Sequence, residues 1–247
     1  MSELVEGPHA ASVERTRITG IDGATVEVIH ALPDRTKPVA GVVVHPDLLG
    51  IRPLFDDLCR RLATHGFAVA SPEPFARASR EVREADDPAA RLALIPELDD
   101  TVQLGDLARA ADLLGDLDGT ATAYVIGFCM GGMQALKAAA AGRFARAVAF
   151  YGMLRLPDAW NGPRLADALS SAPDVCPTLA IFGDVDPWTP AADIDALARA
   201  WHERPECEIV VYPGADHGFV HAPERPAHRV DDAADAWGRT LAWLGVS

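Results

Sequence analysis

Three residues far apart in the chain, Cys129, Asp186 and His217, have the types and surroundings of a nucleophile, an acid and a base. Cys129 is the centre of Gly127-Phe128-Cys129-Met130-Gly131-Gly132, directly after the apolar run Thr122–Ile126. Glycines two before and two after the cysteine let a strand turn sharply into a helix, exposing the central side chain at a helix N-terminus. The motif usually carries serine. A cysteine needs less activation, because its thiolate is intrinsically nucleophilic and a helix N-terminus favours the anion. A small buried thiol in a glycine-rich turn is the structural alternative.

The acid and base follow in the order nucleophile, acid, histidine. Asp186 lies in Gly183-Asp184-Val185-Asp186-Pro187-Trp188, after the apolar run 177–182. His217 lies in Pro213-Gly214-Ala215-Asp216-His217-Gly218-Phe219, after the apolar run 207–212. Imidazole can take the thiol proton and later activate water, while a carboxylate fixes its tautomer. Asp184 competes for the acid role and His221 and His45 for the base. Asp186 is preferred because it lies farther beyond its strand with Pro187 fixing the loop, and His217 because it follows a strand and a Pro-Gly turn. The N–H groups of Met130 and of Leu48, in the loop after an earlier strand, are candidate oxyanion donors.

These positions presuppose a scaffold. Residues 13–31 alternate around Ile21-Asp22-Gly23 and predict an antiparallel hairpin. The unbroken apolar runs 38–44, 67–71, 122–126, 145–151, 177–182 and 207–212 read as strands buried on both faces. Helical spacing is predicted over 53–65, 97–117, 130–141, 191–203 and 227–244, and residues 152–176 as a loop with one short helix. The alternation predicts one α/β domain over 1–247 with a mainly parallel sheet and helices on both faces. Active sites of such sheets gather beyond the strands' carboxyl ends, where Asp47, Cys129, Asp186 and His217 all fall. Residues 72–96, with four prolines and Arg77, Arg80, Arg83 and Arg91, are too long for a simple connection and predict a segment covering the substrate.

Composition narrows the function. A net charge of −14 argues against nucleic acid and anionic membrane as partners, but leaves a small molecule open. The cysteines at 59, 129, 176 and 207 form no C-x-x-C pair, and Met1–Gly7 lacks the basic and apolar regions of a secretory signal. No apolar run is long enough to span a bilayer, so a cytoplasmic monomer or small homo-oligomer is expected. No metal-ligand spacing or phosphate-binding glycine loop appears, and no cofactor is expected.

With these residues in place, the chain resembles the dienelactone hydrolase (carboxymethylenebutenolidase) family over about residues 12–245. The resemblance is carried by Gly127–Gly132, by Gly183-Asp-Val-Asp-Pro-Trp-Thr-Pro190, by His217-Gly-Phe219 and by Gly66-Phe-Ala-Val-Ala-Ser-Pro-Glu-Pro-Phe-Ala-Arg77. It implies an α/β-hydrolase fold and a cofactor-free ester or lactone hydrolase with Cys129, Asp186 and His217 as its triad. Thioester or amide hydrolysis on the same fold is the alternative chemistry, and a redox or ligand-binding thiol the non-catalytic one. Two departures stand out. The family's thiol-restraining glutamate is replaced by Asp47, in Asp47-Leu-Leu-Gly50, one methylene shorter. The arginine expected four residues after the histidine is His221, leaving Arg91 as the candidate for the second carboxylate-gripping arginine. Tyr151 occupies a place where the family sets a pocket aromatic. The resemblance therefore points to an ester or lactone other than dienelactone.

Overall fold

The computed structural model describes residues 4–85 and 87–246; Asp86, inside the 72–96 segment, and the first three residues of the run read for a leader lie outside them. Eight strands form one sheet in the order β1-β2-β4-β3-β5-β6-β7-β8. β1 (Ala11–Thr19) and β2 (Thr25–Pro33) make the antiparallel hairpin, and β2 joins β4 (Phe67–Pro72) antiparallel as well. From β4 onward, through β3 (Ala40–His45), β5 (Ala123–Phe128), β6 (Arg146–Phe150), β7 (Thr178–Gly183) and β8 (Cys207–Tyr212), every pairing is parallel.

The continuous apolar runs are explained by two cores. Along β3, Val42 and Val44 enter one core while Val43 enters the other, as successive side chains of a strand must. One face is covered by α1 (Pro53–Thr64) and α7 (Val230–Leu244), through Phe55, Leu58 and Trp237. The opposite face is covered by α4 (Asp100–Asp118), α5 (Met130–Ala139) and α6 (Ala191–Ala200), through Leu107, Met133 and Leu197. The amphipathic pattern read from residue 97 thus becomes a helix starting at Asp100, because Asp99 caps it by accepting the Thr101 N–H. Residues 72–96 hold two short helices, α2 (Arg80–Glu84) and α3 (Ala89–Leu92), and residues 152–176 hold two 3-10 turns, Asp158–Trp160 and Ala168–Asp174. Among the described residues no helix is long and apolar enough to cross a membrane.

The turn from β5 into α5 leaves no room for a side chain at three glycines. A Cβ on Gly127 would overlap the carbonyl of Gly131, and one on Gly131 would overlap the carbonyls of His45 and Pro46. A Cβ on Gly132 would stand 2.5 Å from the Phe150 oxygen. At all three positions the nearest blocking atoms are backbone, so nothing flexible can yield. Gly127→Ala is expected to destabilise the fold by more than about 2 kcal/mol, the range of overpacked cores, lowering the thermal midpoint. An unchanged midpoint would show that this turn can relax.

Candidate active site

Cys129 sits at φ 57°, ψ −120°, a conformation L-residues rarely adopt. Such a residue costs on the order of 1–3 kcal/mol, sustained here by the glycines around it and by the Cys129 N–H, which donates to the Phe150 carbonyl at 3.0 Å. Its neighbour across the turn, Tyr151, is also at positive φ, 38°. The elbow leaves Cys129 partly exposed, whereas Cys59 is fully buried and its thiol pushed up by burial.

The loops after β7 and β8 are laced together, and this selects between the two candidate acids. The Asp184 N–H donates to the Tyr212 carbonyl at 3.2 Å, the Val185 N–H to the Ala215 carbonyl at 3.2 Å, and the Asp184 carboxylate accepts the Gly214 N–H at 2.5 Å. Asp184 is thereby used as a loop clamp. Asp186, its side chain buried, accepts the Trp188 N–H at 2.8 Å through Oδ1 and points Oδ2 at His217 Nδ1, also 2.8 Å away. His217 and Cys129 line the same cavity, and the Cys129 side chain bears on the imidazole electrostatically. Burial disfavours charge on His217, but Asp186 and Cys129 outweigh it and raise its pKa to about 10. The ring therefore holds its proton at neutral pH.

The backbone N–H groups of Met130 and Leu48 have no protein acceptor among the described residues. Met130 opens α5, where unpaired N–H groups and the helix dipole coincide. The loop that carries Leu48 is pinned from below by Glu73, a buried carboxylate that accepts the Ile51 and Phe75 N–H groups at 3.0 Å each. His45 is buried against the Pro46 carbonyl and Gln103, so it supports the same loop and does not face Cys129.

Cys129, His217, Tyr151, His221, Asp47 and Leu48 line one cavity of about 740 Å³, within the range of small-molecule sites. Trp188 stacks on Trp160 at 5.6 Å along its wall, and Pro88 and Leu92 bring the 72–96 segment to it.

Two expectations require correction. Asp47 does not turn to the thiol: Arg52 holds both its oxygens, at 2.7 and 2.8 Å, and Oδ2 also lies 3.4 Å from His221 Nε2. Burial opposes its charge, yet hydrogen bonding from His221 and the Arg52 guanidinium hold its carboxyl well below the usual range. Arg91 is not at the cavity. Its guanidinium is buried and donates to the carbonyls of Arg83 and Ala85, bracing α2 against α3. Arg77 is likewise occupied, by Asp22 and Asp106.

Sequence reasoning missed the two arginines that do line the cavity, Arg52 and Arg225. Arg52 is five residues past Asp47 around a tight turn, a spacing that signals nothing in a linear pattern. Arg225 reaches in because Gly218, at φ 78°, has no side chain: a Cβ there would stand 2.6 Å from its Nη1. No described carboxylate pairs with the Arg225 guanidinium.

An eight-stranded, mostly parallel sheet with a glycine-framed turn at Cys129 after β5, Asp186 after β7 and His217 after β8 has the α/β-hydrolase fold. The family model of the dienelactone hydrolase family matches residues 26–247, and the chain belongs to that family. It is 30% identical over 248 residues to a protein of Escherichia coli O157:H7 named "Putative carboxymethylenebutenolidase", covering 98% of this chain and 90% of that one. It is also 30% identical over 246 residues to the carboxymethylenebutenolidase of Rhodococcus opacus, covering 96% and 92%. Among solved structures, a "Putative Dienelactone Hydrolase" from Klebsiella pneumoniae superposes with a TM-score of 0.86 at 31% identity, covering 95% of this chain and 98% of that one.

The His217 titration is open to direct measurement. Imidazole NMR should show the His217 proton leaving near pH 10. In Asp186→Asn the accepting charge is gone, so the midpoint should move down, toward the ordinary histidine value. An unmoved midpoint would mean that Asp186 does not support the ring.

Proposed function

We propose that the protein hydrolyses small carboxylic esters or lactones through a Cys129–His217–Asp186 triad and a thioester intermediate. The observation that supports it most is the Asp186–His217 hydrogen bond, with His217 and Cys129 facing one cavity and acting on each other electrostatically. Membership of the family and the names of its relatives support the substrate class.

In this reading His217 is an imidazolium and Cys129 its thiolate partner. The thiolate attacks the carbonyl carbon, and the oxyanion lies against the N–H groups of Met130 and Leu48. The C–O bond to the leaving alkoxide breaks as the imidazolium transfers its proton to that oxygen. Alcohol departs, or stays tethered if the substrate is a lactone, and a Cys129 thioester remains. Neutral His217 then takes a proton from water, hydroxide adds to the thioester, and the thiolate leaves with the imidazolium restored. Asp186 holds one tautomer and one ring orientation throughout. The 72–96 segment, touching the cavity through Pro88 and Leu92, acts as its cover.

Arg225 changes the substrate expected. The missing arginine at 221 argued against a carboxylate-bearing substrate, but an arginine at the cavity with no carboxylate partner among the described residues is a natural receptor for one. The reading therefore extends to anionic esters and lactones.

A chromogenic ester assay tests the core of this. Wild type should turn over a p-nitrophenyl ester, and Cys129→Ala should lose on the order of 10³-fold or more in kcat; equal rates would remove Cys129 from the mechanism. Arg225→Gln should raise KM about tenfold or more for esters bearing a free carboxylate and leave neutral esters unaffected. A uniform loss on both kinds would make Arg225 structural.

A further inference from the structure

Beside the first relay lies a second set of buried polar groups with no role so far. Tyr151, 1% exposed, sits between the two imidazoles, its ring 5.0 Å from that of His217 in an edge-on contact and 6.1 Å from that of His221. Its hydroxyl lies 3.2 Å from His221 Nδ1, and His221 Nε2 lies 3.4 Å from Asp47. His221 is enclosed by Phe55 and Phe128, at 6.2 and 5.3 Å.

Chemistry orders the protons in this chain. Asp47, gripped on both oxygens by Arg52, can only accept, so the neutral ring carries its proton on Nε2. Nδ1 is then a lone pair, and the Tyr151 O–H must donate to it. Burial keeps His221 neutral and Tyr151 protonated, which favours the same single arrangement. The Tyr151 backbone is at positive φ and adjoins the elbow through the Phe150 carbonyl, so its side chain needs an anchor at the far end.

We propose that Asp47, His221 and Tyr151 form a second hydrogen-bonded relay whose role is to position His217: the relay fixes the Tyr151 ring, and the ring fixes the imidazole that faces Cys129. Tyr151, His221 and Asp47 are positioning residues acting through His217. The inference rests on the proposed function only in taking His217 as the base, and its test needs no substrate.

The rate of Cys129 alkylation by iodoacetamide, followed by peptide mapping across pH, reads the Cys129–His217 pair directly. The charged groups bearing on it are Asp186 and Cys129 on His217, and Asp47, Arg52 and Arg225 around His221 and Tyr151. Tyr151→Phe keeps the ring and removes the anchor, and His221→Leu removes the acceptor. Each should shift the rise of the profile upward by about half a pH unit or more, because a displaced imidazolium favours the thiolate less, and the double variant should shift it no further than either single, because both break one chain. His221→Gln, whose amide oxygen can accept from Tyr151, should restore part of the shift. Unchanged profiles in folded single variants, or additive shifts in the double, would overturn the relay. Should Tyr151→Phe fail to fold, His221→Leu against His221→Gln decides the question. An ester-inactive wild type with the predicted alkylation profiles would sink the hydrolase reading and leave the relay standing.

Discussion

Everything at this site hangs on a close approach of backbone to backbone where β5 ends. The chain at 127–132 lies against the carbonyls of His45 and Pro46 on one side and of Phe150 on the other, with no space for a side chain at three positions. That contact stabilises the unfavourable backbone angles of Cys129 and places its sulfur at the start of α5. It also joins three strand ends, those of β3, β5 and β6, into one rigid block. The loop bearing Leu48, the elbow and the Tyr151 bend are therefore held relative to one another by main-chain atoms, which move far less than side chains.

Against that block Asp186 and His217 are delivered by a different device. The turns after β7 and β8 are joined by backbone hydrogen bonds and by the Asp184 carboxylate, and Asp186 and His217 are aligned with each other. Two aspartates two residues apart do unlike work: one binds a loop to a loop, the other orients a ring. Their surroundings explain the difference, since Asp186 is buried beneath the imidazole while Asp184 stays at the surface.

Much of this was legible in the residue order. Strands buried on both faces announce themselves as unbroken apolar runs, and the glycines around Cys129 name their own turn. Cys129, Asp186 and His217 drew attention because each lies a few residues past the end of such a run. What the order hid were contacts made by long side chains across turns. Whether Asp47, one methylene short of the usual glutamate, meets the thiol depended on Arg52, which comes round to hold it, and Arg91, the candidate pocket cation, folds its guanidinium back onto two carbonyls. Arg225 carried no positional signal, because its reach depends on empty space above Gly218. An arginine spans several residues' worth of chain, so its endpoint is a tertiary fact that local pattern does not encode.

The carboxylate of Glu73 has a mechanical implication. It grips the Ile51 amide with one oxygen and the Phe75 amide with the other, at the root of the segment that reaches over the cavity. One acidic side chain thus ties the start of the 72–96 segment to the strip bearing the Leu48 amide, so a displacement at Phe75 is felt at Ile51 through a single carboxylate.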